Sequence, residues 1–224
     1  MSIQTKLSGA WFPDRVFQLS FRKEEKLKIH QGQITRLLDW INEEGGTRLY
    51  PPRTVSSTYF DTDDWHMFRD SEEGCVPRKK IRIRSYSREP HAVENSNLEI
   101  KTSSIEGRFK IATKVFDLHK TLSIGYLDKN YGICKPRVRI TYQREYYKIL
   151  GIRLTIDRNI EYAKVYASRT SSHKVIDSEI AVELKADDHV SLGYLNDKFP
   201  FDRIRFSKYS RAVNAIFHND AKTY

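Results

Sequence analysis

RKKIRIRSYSR, residues 78–88, is the stretch on which the fold turns. Side chains of an extended strand alternate between two faces. Arg78, Lys80, Arg82, Arg84, Tyr86 and Arg88 therefore line one face, while Ile81 and Ile83 occupy the other. An amphipathic antiparallel strand buries only one face, so the cationic row is either a solvated surface or an anion site. The same period-two polarity recurs over 15–29, 53–60, 96–102, 108–116, 136–149, 152–161 and 174–186. Helical spacing is rarer. In QGQITRLLDWINEEGG (31–46), Ile34, Leu37, Leu38 and Ile41 share a face before Gly45-Gly46, and shorter helical stretches fall at 62–70, 117–130, 188–198 and 207–218. Many strands with few short helices imply an α+β fold, an antiparallel β-barrel (tunnel) of about eight strands with short helices packed outside. Such a barrel has a lumen into which alternate residues of every strand point.

No Gly/Ser or Pro-rich linker and no low-complexity tract interrupts the 224 residues, so one domain over 1–224 is expected. An excess of 39 Lys+Arg over 29 Asp+Glu gives a net charge of +10, which favours polyanionic partners. Two cysteines exclude a dense disulfide framework and a CxxC or Cys/His zinc cluster, and a reducing compartment fits them. The N-terminal residues lack the apolar core of a signal peptide, and no run approaches the roughly 18–20 apolar residues of a membrane helix. A cytoplasmic protein without a transmembrane segment is expected.

The strands carry a repeated dyad. Glu24 and Lys26, Glu99 and Lys101, and Glu183 and Lys185 are each a Glu-x-Lys pair on one strand face, opposed by apolar residues. One such pair is an exposed ion pair worth at most about 1 kcal/mol. Three of them beside the Arg82/Arg84 strand suit phosphoryl transfer: Lys and Arg hold a triphosphate, and isolated carboxylates hold Mg²⁺ or Mn²⁺ together with phosphate oxygens and water. Glu24, Glu99 and Glu183 are the metal candidates. In-line transfer rests on positioning and charge neutralisation, so no protein nucleophile is required. Asp61, Asp63 and Asp64 precede WHMF, which suggests an Asp N-cap on a short helix. Ser207 is an expected N-cap for the C-terminal helix, and Lys208 at that helix start calls for an anionic partner, because the helix dipole disfavours a cation there.

RKEEKLKI, STYFDTDD, KKIRIRSY, LEIK, PRVRITYQRE, RLTID, VELK and FSKYSR, in this order along most of the chain, resemble the VTC domain. That is the polyphosphate polymerase catalytic domain of the vacuolar transporter chaperone complex, in the triphosphate tunnel metalloenzyme (CYTH-like) superfamily. The resemblance implies a β-tunnel in which the γ-phosphate of ATP is transferred to a polyphosphate chain. It implies phosphate binding by Lys26, Arg82, Arg84, Lys101, Lys110, Arg144, Lys185 and Lys208, with Lys26, Arg82, Arg84 and Lys208 carrying catalysis. It also implies Mg²⁺ or Mn²⁺ on Glu183 and, second, Glu24, and it makes Arg69 a further tunnel arginine. Because the regulatory domain and membrane helices of the eukaryotic polymerases have no counterpart here, the chain resembles a stand-alone, bacterial-type member.

Two other readings accompany the polymerase. One is an inorganic triphosphatase or nucleoside triphosphatase of the same fold, with water as acceptor. The other is a non-catalytic polyphosphate- or RNA-binding module. The RNA reading lacks an RRM or KH signature, DNA is not an expected partner, and strand tyrosines serve packing more often than stacking on bases.

Overall fold

The structure, a computed structural model, describes residues 17–18, 22–86, 96–166, 169–187, 199, 201 and 206–218. Its strands are β1 (Phe17–Gln18), β2 (Arg22–His30), β3 (Thr47–Asp61), β4 (Arg78–Ser85), β5 (Asn97–Ser104), β6 (Gly107–Lys114), β7 (Tyr126–Asp128), β8 (Gly132–Ile149), β9 (Ile152–Tyr166), β10 (Arg169–Ile176) and β11 (Glu179–Asp187). All pairings are antiparallel, in the order β1-β6-β5-β4-β3-β8-β9-β11-β2, with β7 added to β8 and β10 to β9. The two ends of that order, β1 and β2, are consecutive in the chain and separated only by residues 19–21. A gap of that length spans at most about 14 Å, so the sheet has to curl until its first and last strands approach one another. The result is a curved wall with an inside and an outside.

Three apolar clusters fix the helices on this wall. Leu27, Ile29, Leu154, Ile156, Val182 and Leu184 pack on the outside against Leu37, Trp40 and Ile41 of α1 (Ile34–Glu43). Phe60, Ile81 and Ile83 pack on the outside against Met67 of α2 (His66–Glu73) and Leu118 and Leu122 of α3 (Leu118–Ile124). The third cluster lies inside: Val55, Tyr59, Val138, Ile140 and Tyr142 meet Tyr209, Ala212 and Val213 of α4 (Lys208–Val213), and Ile216 of the π-helical turn Asn214–His218. Tyr59 stands opposite Arg82 and shares its face, so α4 fills the apolar part of the inner wall while α1, α2 and α3 cover the outer one. No helix among the described residues is long and apolar enough to cross a membrane.

Local chemistry explains where elements depart from expectation. The single strand expected over 174–186 is two, because Asp177 turns the chain: its carboxylate accepts the Glu179 N–H and the Nε and Nη2 N–H groups of Arg211, and the Tyr162 hydroxyl also donates to it. The helix expected over 117–130 begins with Asp117 accepting the Lys120 N–H and stops at Ile124. Gly125 follows at φ +95°, where a Cβ would lie 2.6 Å from the Cys134 carbonyl oxygen, and the chain continues as β7. The expected Asp N-cap of α2 is also corrected. Trp65 holds that position in the left-handed region with no side-chain cap, and Asp61, at the end of β3, accepts the Met67 and Phe68 N–H groups, each at 2.9 Å. The helix expected at 188–198 lies outside the described residues, as do 15–16 and 19–21 of the first expected strand and Arg88 of the opening stretch.

Leu27 is fully buried beneath α1. Truncation there removes transfer energy and leaves a cavity, so Leu27→Ala is expected to cost about 2–5 kcal/mol. Denaturant unfolding checks this, since the loss should appear as a lower midpoint with an unchanged slope.

Candidate functional site

Strand register assembles the charged residues on the inner wall. Lys110 stands opposite Lys101, Lys101 opposite Lys80, and Glu99 opposite Arg82. Farther round, Arg53 stands opposite Arg144 and Arg144 opposite Asp157, while Glu183 and Lys185 of β11 face Lys26 and Glu24 of β2. All three Glu-x-Lys dyads share this surface with Arg82 and Arg84. Alternation is the cause: Ile81 and Ile83, Leu98 and Ile100, Leu27, and Val182 and Leu184 each take the outward positions, against the helices.

The carboxylates divide into two kinds. Glu99 is 4% exposed and saturated: Arg82 donates to it from Nε at 2.8 Å and Nη2 at 2.5 Å, Lys110 Nζ approaches at 2.8 Å, and Arg84 at 3.5 Å. Burial alone would raise its pKa, but Arg82, Arg84 and Lys110 hold it well below the usual carboxylate range. Arg82 also donates to the Tyr59 hydroxyl at 2.8 Å, so its guanidinium is fixed from two sides. Asp157 plays the same part for Arg144, accepting from Nε at 2.5 Å and Nη2 at 2.7 Å, and it lies 2.6 Å from Lys208 Nζ. That contact answers the unfavourable helix-start position of Lys208: the anionic partner is Asp157, and Ser207 caps α4 by accepting the Ser210 N–H.

Glu24 and Glu183 are different. Lys185 Nζ bridges them, 2.9 Å from Glu183 and 3.6 Å from Glu24, with Lys26 Nζ 3.3 Å from Glu24 and Arg144 3.9 Å from Glu183. Burial opposes ionisation of Glu183, yet hydrogen bonding with Glu24 and the charges of Lys185, Lys26 and Arg144 hold its pKa well below the ordinary value. Oε1 of Glu24 is buried and accepts no aligned hydrogen bond. Two hard oxygen donors, one of them held only by lysine ammonium groups without an aligned hydrogen bond, suit Mg²⁺ or Mn²⁺ completed by phosphate oxygens and water. No cluster of three or more His, Cys, Asp or Glu able to hold a metal exists among the described residues.

Lys101 has no carboxylate within ion-pair distance among the described residues. Burial, together with Arg82 and Lys26, pulls its pKa down to about 7, against the opposing pull of Glu24 and Glu183. A polyanion beside it would restore the proton. At pH 8.5, binding of tripolyphosphate is expected to take up close to one proton, and about none in Lys101→Met. Calorimetry in buffers of different ionisation enthalpy measures this. The same burial destabilises the fold. The penalty is complete below about pH 7 and disappears as pH rises towards 10.5, the usual lysine value. Lys101→Met is therefore expected to raise the melting temperature at pH 6 while weakening anion binding.

Lys26, Arg82, Arg84, Lys101, Lys110, Arg144, Lys185 and Lys208 thus converge on one wall with Glu24 and Glu183. Arg69 does not join them, because it sits half-exposed on α2 beside Asp64. Asp157 and Tyr59 orient Arg144 and Arg82, a role that strand spacing does not assign them: it leaves Asp157 of RLTID a solvated charge and Tyr59 a packing tyrosine. Their signal was positional: both fall on the inner register of strands whose other inner residues are charged. Lys80 is a further member, donating to Ser207 Oγ at 3.2 Å.

The sequence profile of the VTC domain matches residues 21–131 and 118–217. No curated protein matches the sequence. Among solved structures, one from Vibrio parahaemolyticus, put forward as an adenylate cyclase, is 15% identical with a TM-score of 0.52, covering 88% of this chain and 99% of its own. Another, from Hippeastrum, was put forward as an adenylyl cyclase and is described as revealing a dominant triphosphatase activity; it is 15% identical with a TM-score of 0.48, covering 86% of this chain and 95% of its own. Likeness at such identity bears on the fold alone, whereas the profile spans nearly the whole chain. The chain belongs to the VTC domain family.

Proposed function

We propose that the protein is a metal-dependent polyphosphate polymerase that transfers the γ-phosphate of ATP to a polyphosphate chain within the basic tunnel, as one domain over residues 1–224. The observation that carries this reading is the inner wall itself, where eight cations surround two carboxylates that are not consumed by arginine forks. Free thiols at Cys75 and Cys134 support a reducing, cytoplasmic setting.

Arg82 and Arg144, held rigid by Glu99, Tyr59 and Asp157, present guanidinium edges to phosphate oxygens without reorganising. Arg84, Lys26, Lys101, Lys110, Lys185 and Lys208 supply further charge along the chain of phosphates. Glu183, with Glu24, would hold Mg²⁺ or Mn²⁺, which supplies neutralisation of charge on the bridging and transferred phosphate oxygens. A passive anion binder has no use for Glu24 and Glu183, which form no arginine fork and offset the charge of Lys26 and Lys185 beside them. Water in place of the polyphosphate acceptor would make the same wall a triphosphatase.

The test is incubation with ATP and Mg²⁺ or Mn²⁺, followed for ADP, free phosphate and long-chain polyphosphate. ADP with polyphosphate is the expected result. ADP with only free phosphate would replace the polymerase by the hydrolase, and no turnover with retained polyphosphate binding would leave a binding module.

A further inference from the structure

The cations of the inner wall are held in two ways. Arg82 and Arg144 are each fixed by two hydrogen bonds to one carboxylate, that of Glu99 and that of Asp157. Lys185 has no such anchor. Its Nζ lies 2.9 Å from Oε1 of Glu183 and 3.6 Å from Oε1 of Glu24, so a single ammonium faces one oxygen of each residue. Register produces the arrangement: Lys185 of β11 stands opposite Glu24 of β2, and Glu183 precedes Lys185 by two residues on the same strand face. Among the described residues no other cation bridges the pair. Lys26 is within ion-pair distance of Glu24 alone, and Arg144, 3.9 Å from Glu183, is tied to Asp157.

Two carboxylates turned towards one cation are also what a hard divalent ion uses in a phosphate site. The Lys185 ammonium therefore stands on the oxygens that such an ion would need. Like charges repel strongly at this separation in a partly buried wall, so the ammonium and a divalent ion exclude one another from the pair. Lys185 is able to leave. Its side chain keeps 27% of its surface exposed, its four-carbon stem is flexible, and Oε1 of Glu24 accepts no aligned hydrogen bond that would hold it. A phosphate chain in the tunnel gives the ammonium another anion to turn to. We propose that Lys185 is a placeholder cation, which occupies the Glu183/Glu24 pair in the empty tunnel, keeps divalent metal out, and releases the pair when a phosphate chain draws it away. Metal is then taken up together with phosphate and not by the idle protein. The inference rests on the reading of Glu183 and Glu24 as the metal ligands.

The test is uptake of Mn²⁺ without phosphate by wild type, Lys185→Met and Lys101→Met, followed through the paramagnetic resonance signal of the free ion. Lys101→Met removes an equal charge from the same wall, but from an ammonium with no carboxylate within ion-pair distance among the described residues, so it reports the general field. Lys185→Met should bind Mn²⁺ at least ~10-fold more tightly than wild type, and Lys101→Met should stay within about 3-fold of it. In protein loaded with tripolyphosphate and freed of excess, Lys185 has already turned away, and wild type and Lys185→Met should agree within about 3-fold. Equal gains in Lys185→Met and Lys101→Met, or no uptake by Lys185→Met without phosphate, would overturn the proposal. Glu183→Ala separates that failure from failure of the underlying reading. Tripolyphosphate-dependent uptake that disappears in Glu183→Ala leaves Glu183 a metal ligand even if Lys185 is no placeholder, whereas uptake that survives Glu183→Ala contradicts both. Should Lys185→Met not fold, Lys185→Gln, which keeps an N–H donor for the carboxylates, reads the same difference.

Discussion

Glu183→Ala is expected to lower turnover of ATP by at least ~10³-fold while leaving binding of polyphosphate unchanged or tighter. In the proposed mechanism Glu183 is the principal metal ligand, and its loss withdraws several kcal/mol of charge stabilisation from the reacting phosphate oxygens. Binding responds in the opposite sense, because Glu183 lies 2.9 Å from Lys185 and 3.9 Å from Arg144 and offsets part of their charge. Removing it frees both cations for phosphate, and an affinity gain of about 3–10-fold is expected, corresponding to roughly 1 kcal/mol of relieved repulsion. Steady-state kinetics together with calorimetric binding of tripolyphosphate without metal would check both halves. A parallel loss of turnover and binding would mean that Glu183 shapes the wall rather than holding metal.

Asp157→Ala should give the largest loss of stability in the tunnel. Asp157 is 1% exposed and holds Arg144 and Lys208 at once. Deleting one partner of such a network leaves the others buried and unpaired, at a cost of about 3–5 kcal/mol, or roughly 6–20 °C in melting temperature for a chain of this size. The same residue sets an acid limit. Burial works against ionisation of Asp157, but Lys208 and Arg144 outweigh it and depress the pKa of the folded state. Its stabilisation is therefore complete above the unfolded value of about 3.9 and is lost as pH falls through that value towards the folded one. Unfolding curves at pH 7 and below pH 4 should show the wild type and Asp157→Ala converging at the acid end. A constant difference across that range would contradict the assignment.

The alternation of Arg82 and Arg84 with Ile81 and Ile83 was enough to read a two-faced strand, and its recurrence was enough to read a closed, antiparallel wall. Which way the charged face points was not contained in that pattern. It is settled by the Ile81/Ile83 face finding Met67, Leu118 and Leu122, while the cationic face finds other strands' charges. Residue spacing also made Glu24, Glu99 and Glu183 equivalent. Register separates them, placing Arg82 opposite Glu99 so that its guanidinium consumes the carboxylate, whereas Lys26 and Lys185 flank the other two. The orienting roles of Asp157 and Tyr59 depend on register: RLTID shows Asp157 only as a strand-face charge until β8 sets Arg144 opposite it, and Tyr59 is a packing tyrosine until β4 sets Arg82 opposite it. The C-terminal helix was legible from Ser207, but its place inside the wall depends on Tyr209 stacking on Tyr59 at 5.0 Å, a contact 150 residues apart in sequence that no local periodicity encodes.

The most direct measurement is a crystal structure of the protein with tripolyphosphate and Mn²⁺, with the manganese located by its anomalous scattering. The expected result is phosphate density along Arg82, Arg84, Lys101 and Arg144, and a manganese peak in coordination contact with Glu183. Tripolyphosphate on the outer surface, or in the tunnel with manganese elsewhere, would contradict it.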